Sequence, residues 1–142
     1  MDQRSEMLVK HLEMIQNTIV RMASNSFMLK GWSIIIISAV LALDASNLAS
    51  SFIYIAYLPA LSFWVLDAYF LSQERYFRRL YDKVRGELTS PDQSSSIEPF
   101  SMNAPKFAKA GDHWLPTIWS PTLLIFHGTV VVLVTIVMLF LE

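Results

Sequence analysis

The chain has 142 residues, of which 54% are hydrophobic and 16% charged, and its mean hydropathy is +0.41. Soluble domains carry about 25% charged residues, so the balance points toward lipid. The absence of cysteine excludes a disulfide scaffold, a thiol nucleophile and a cysteine-ligated metal, and a net charge of -1 gives no overall basic footprint for nucleic acid.

Residues 1–26 predict an amphipathic helix. Leu8, Leu12, Ile15, Ile19 and Met22 recur at spacings of four, three, four and three, which lays one apolar stripe along a helix. Leu29 continues the series after the polar Ser26, and no Gly or Pro intervenes before Gly31. The helix is therefore expected to run straight into a first span, residues 27–46, with Lys30 snorkelling its ammonium to the interface. These first residues are charged and lack the apolar run of a cleavable signal peptide.

Between Gly31 and Leu66, Asp44 is the single charge in 36 positions. That length suits two spans of about 20 residues each, with the small, polar stretch Asp44–Ser51 as the turn. The second span is placed at residues 52–71, with Pro59 inside it as an expected kink and candidate hinge. Residues 72–88 then prolong it as a helix without a breaker. Phe77, Leu80, Tyr81, Val84 and Leu88 share one face there, and Arg75, Arg78, Arg79, Lys83 and Arg85 occupy the rest.

Residues 89–120 read as a Ser- and Pro-rich linker followed by an interfacial segment, in which Phe100, Met102, Phe107 and Ala108 suit either a membrane surface or docking on the preceding helices. A third span follows at residues 121–141. Pro121 stands where a first-turn proline belongs, and His127 is the only ionisable side chain from Thr122 to Leu141.

All 11 Lys and Arg fall before or at the inner end of the first span, or between the second and third. By the positive-inside rule the N-terminus and residues 72–120 are cytoplasmic, and the C-terminus faces out. The expected fold is an all-α integral membrane protein with three transmembrane helices, the first two extended into a cytoplasmic helical stalk. This is a multi-pass membrane topology.

Asp67 is the most informative residue, because a carboxylate within a span needs a partner, water or a proton. His127 enters from the same side to a similar depth, so an Asp67–His127 hydrogen bond is expected. Its functional reading is a pore lining, gate or proton-sensitive element; its structural reading is a polar contact that locks helices together. Leu8, Leu12, Ile15, Ile19 and Met22 form a face for pairing within the chain, for assembly between copies, or both. Arg75, Arg78, Arg79, Lys83 and Arg85 suit inner-leaflet lipid headgroups or an anionic ligand. His11, His113 and His127 lack metal-ligand spacing, and no nucleophile elbow, P-loop or dinucleotide fingerprint occurs. No enzyme activity, metal, cofactor or nucleic acid is therefore expected.

The stretch Phe63-Trp-Val-Leu-Asp-Ala-Tyr-Phe-Leu-Ser-Gln-Glu-Arg-Tyr-Phe-Arg-Arg-Leu-Tyr-Asp-Lys-Val-Arg85, with Arg21-Met-Ala-Ser-Asn-Ser-Phe-Met-Leu-Lys-Gly-Trp32 upstream, resembles a family of small, uncharacterised bacterial three-span membrane proteins. That family carries no activity to transfer. The architecture is also similar to the two-span SLATT-type membrane effectors of bacterial defence, from which this chain departs by its third span and outward C-terminus. The likeness implies an oligomeric inner-membrane module, channel-like or membrane-permeabilising. The alternative is a non-conducting anchor or adaptor that recruits a soluble partner through its cytoplasmic helices.

Overall fold

The computed structural model describes residues 3–45, 52–89 and 97–141. Among them there is no strand. Helix α1 spans Gln3–Ala45, α2 spans Tyr57–Thr89, the short α3 spans Trp114–Thr117, and α4 spans Pro121–Leu141. Helices α1, α2 and α4 are each long and apolar enough to cross a membrane. Most of the expected turn at Asp44–Ser51 and of the linker after Thr89 lies outside the described residues.

Helix α1 is unbroken for 43 residues, about 65 Å at 1.5 Å per residue. Its sequence supplies the reason, since Gly31 is its only glycine and Pro is absent. Helix α2 runs antiparallel to it, and the pair makes two separate cores. At the stalk end Leu8, Ile15 and Ile19 of α1 bury against Tyr76, Leu80 and Val84 of α2, with Leu12 packed alongside. At the other end Ile37, Ala60 and Val134 bring α1, α2 and α4 together, with Ala56 buried beside them.

Pro59 corrects one expectation. A 3-10 turn, Phe52–Ala56, precedes α2, so Pro59 falls in the helix's first turn and not in the helix interior. A first-turn residue has no intrahelical acceptor for its N–H, so proline there breaks no hydrogen bond and produces no kink. Pro121 opens α4 in the same way, where the Ser120 carbonyl accepts from the Leu123 and Leu124 N–H groups at 3.0 and 2.9 Å.

Between α2 and α4 the chain returns along the stalk. Ala104 is buried in the stalk core, and Ile97, Met102, Phe107 and Ala108 pack against it, which is the docked arrangement of the two weighed for this segment. Phe100 turns the chain with φ of 67°, a left-handed conformation uncommon for a bulky residue. The next carbonyl, Ser101, accepts from Nε2 of the wholly buried His11 at 3.0 Å. This strap makes the stalk a three-layered unit of two helices and a covering segment.

Candidate functional site

The seam that begins at Leu8 does not end with Met22. It continues on α1 through Ser26, Lys30, Ser33 and Ile37, again at steps of four and three. Ser33 and Ile37 are buried, so Ser26 and Lys30 are polar residues inserted into a stripe that otherwise packs. Ser26 and Lys30 stand one turn apart on the same face. Opposite them lies Asp67 on α2, and His127 on α4 closes the group.

Asp67 has no solvent exposure, and His127 has 1%. Asp67 Oδ2 accepts from Lys30 Nζ at 2.6 Å and from His127 Nε2 at 2.9 Å. Its Oδ1 accepts from the Ser26 hydroxyl, and Lys30 Nζ also donates to Ser26 Oγ at 2.9 Å. The hydrogen bond assigns the proton of a neutral His127 to Nε2.

Aromatic rings wall it. Trp64 stacks on the His127 ring at 5.9 Å with 10° between planes, and its Nε1–H donates to the Ile118 carbonyl at 3.2 Å. Phe126 meets His127 edge-on at 5.0 Å and lies 5.8 Å below the Lys30 ammonium, within cation–π range. Three helices thus meet at one carboxylate. A buried charge survives only when paired and hydrogen-bonded, and here the pairing spans α1, α2 and α4.

Lys30 is the second correction. Its ammonium does not snorkel outward: the side chain is 20% exposed and ends on Asp67. The reason is energetic, since an unpaired carboxylate among Trp64, Phe126 and apolar helix faces costs several kcal/mol, more than the interface gains from one lysine. Ser26 and Lys30 were missed as partners. The signal was available in their position on the heptad seam, where a polar residue calls for a polar partner.

The arginines of α2 are drawn into the molecule to different degrees. Arg75 Nη1 donates to Thr117 Oγ1 at 3.1 Å and to the Gly111 carbonyl at 3.4 Å. Arg78 pairs with Glu74 one turn back at 2.7 Å, Arg79 Nε donates to Asp112 at 3.2 Å, and Arg85 faces Asp82 at 3.8 Å. Lys83 is exposed. Burial alone would push the Asp112 carboxyl up, but the Lys109 N–H and the Arg79 and Arg75 guanidiniums outweigh it and hold it below the usual carboxylate range. At the far end of the stalk Arg4 pairs with the buried Glu87. Next to Asp112, His113 Nδ1 lies 3.1 Å from the Tyr76 hydroxyl, so the segment before α4 is fastened to α2 at several points.

Among the described residues no group of three or more His, Asp or Glu is placed to hold a metal ion. The assembly face is occupied: Leu8, Ile15 and Ile19 are buried within the chain, and Leu12 and Met22 are half-buried. No protein-family model, curated protein or solved structure matches the chain. Its geometry alone bears on what it does.

Proposed function

We propose that the chain is a multi-pass inner-membrane protein, N-terminus cytoplasmic and C-terminus outside, that works as a non-conducting anchor or adaptor. It holds a helical stalk on the cytoplasmic face for a soluble partner. The observation that carries this is the saturation of Asp67. A residue that lined a conduction path or gate would keep an oxygen toward water, whereas both Asp67 oxygens are taken by α1 and α4 side chains. The polar cluster then serves to fix the three spans to one another, which leaves recognition to the stalk. A shallow groove between α1 and α2, lined by Val9, Leu12, Gln16, Asn17 and Tyr81, runs along the stalk flank.

A second reading keeps the oligomeric, channel-like or membrane-permeabilising effector of a defence system. It is favoured by the unbroken passage of α1 and α2 from apolar end to stalk, the feature similar to SLATT-type effectors, since rigid helices transmit a stalk movement into the spans. The exposed faces of the spans, not Asp67, would then line any path.

Native mass in nanodiscs, with ion flux across proteoliposomes, separates the two. The anchor reading expects a monomer or dimer at all protein concentrations and no flux above empty vesicles. A closed assembly of four or more copies that carries flux above empty vesicles would overturn it.

A further inference from the structure

On the stalk immediately beyond the apolar end, Arg78 and Arg79 stand three and four residues after Arg75 on α2, so each neighbours Arg75 on the helix surface. Across from them runs the segment around Asp112. Between the two lies a cavity of about 430 Å³ lined by Arg75, Arg78, Arg79, Asp82 and Asp112. We propose that this cavity is a binding site for the phosphate headgroup of an anionic phospholipid. The proposal rests on the membrane reading above.

Three features argue for it. The first is depth. Arg75 lies eight residues past Asp67, about 12 Å along the helix, and its guanidinium bonds Thr117 at the start of the return into α4. Trp114 and Trp119 flank Thr117 and are 41% and 70% exposed. Exposed indole rings beside arginines mark the level at which headgroups meet the hydrocarbon.

The second is donor geometry. A guanidinium carries five N–H groups in a planar fork suited to phosphate oxygens. Arg75 spends Nη1 on Thr117 and Gly111, Arg79 spends Nε on Asp112, and Arg78 spends Nε and Nη2 on Glu74. Further donors remain on each. The contacts already made reduce the freedom of these long side chains, so less entropy is lost when a phosphate arrives.

The third is charge. The lining carries three guanidiniums against two carboxylates, and Asp82 is turned toward Arg85. Asp112, held ionised between Arg75 and Arg79, orients the forks and leaves the cavity with a positive balance. Basic pockets on the cytoplasmic side of membrane helices take anionic headgroups on this same basis.

Arg85 supplies the control, because it lies ten residues from Arg75, about 15 Å farther from the membrane. That exceeds the screening length of about 8 Å at physiological salt. The experiment is native mass spectrometry of the full chain released from nanodiscs of equimolar phosphatidylglycerol and phosphatidylcholine. Phosphatidylglycerol is expected to be the retained lipid. Arg75→Gln and Arg78→Gln are each expected to lower its retention about fivefold, and Arg85→Gln less than twofold. Among the described residues Arg78 is paired only within its own helix, so its variant tests the site with the fold intact, as an unchanged unfolding midpoint will verify.

Equal retention of the two lipids, or equal effects of Arg78→Gln and Arg85→Gln, overturns the site while leaving the membrane reading in place. Displacement of the bound lipid by millimolar inorganic phosphate also overturns it, by showing that a soluble anion is the ligand. A chain that does not enter nanodiscs at all overturns both.

Discussion

Helices α1 and α2 pack against each other at both ends, yet by different chemistry. At the stalk end the contact is Leu8, Ile15 and Ile19 on Leu80 and Val84, with Arg4–Glu87 at the rim. At the other end the buried residues of the two helices are mostly small or polar: Ser33, Ala60, Asp67 and Ala68, with Ser26 and Lys30 on Asp67 and Ile37 as the large apolar exception. Water drives apolar stripes together, so ordinary hydrophobic burial suffices for the stalk. Lipid does not, because a leucine gains little by leaving one hydrocarbon environment for another; small residues and polar pairs must hold such helices. In the proposed membrane setting one seam on one helix obeys both rules, and the change falls between Met22 and Ser26.

The sharpest way to break this contrast is at Asp67. Asp67→Leu strands the Lys30 ammonium and removes the acceptor of His127. Loss of one partner of a buried pair costs about 3–5 kcal/mol, and the unfolding midpoint in mild detergent should fall accordingly. Adding Lys30→Met removes the stranded charge, and apolar replacement of a whole buried pair is often neutral. The double variant should therefore recover most of the loss. A single variant no less stable than the double one would show that the cluster does not hold the helices.

At the stalk end the corresponding change is Leu80→Ala. Leu80 is 1% exposed and central to the cluster, so truncation should cost about 2–5 kcal/mol. Hydrogen exchange should accelerate over residues 8–19 and over the strap at 97–108, and not around Asp67. Acceleration spread evenly along α1 would mean that the two ends unfold as one unit, and the division drawn here would fail.

Much of this plan was legible in the chain. Length and hydropathy predicted three long apolar helices, and the spacing of Leu8 to Met22 picked out the stripe that packs on α2. Depth counting alone predicted the Asp67–His127 contact, since both residues sit a similar number of turns from the same end. Rotation about the helix axis was harder. Whether Lys30 points outward or across to Asp67 depends on how α2 is turned, and no single-helix pattern contains that. Pro59 was misread because a helix start hidden among apolar residues carries no polar cap to mark it. The strap was ambiguous for another reason: Met102 and Phe107 suit any apolar surface, and only the fold shows that the stalk provides one.

The smallest expected effect sharpens the comparison most directly, because it repeats the Leu80 substitution where the surroundings differ. Leu133 lies near the middle of α4 and is 55% exposed. In the proposed lipid setting Leu133→Ala leaves a recess that acyl chains fill, so stability should change by less than about 0.5 kcal/mol. A small effect at an exposed site would also follow in water, so Leu133→Asp must accompany it. In a bilayer an aspartate at this depth disfavours insertion by about 2.5–3.5 kcal/mol, whereas on a wet surface it is harmless. Membrane partitioning of the two variants reads this out. A neutral alanine with a damaging aspartate means that the exposed apolar band faces lipid, and that the polar cluster is needed because hydrophobic burial is unavailable there. If both are neutral, the band faces water, and burial should have sufficed at both ends of α1.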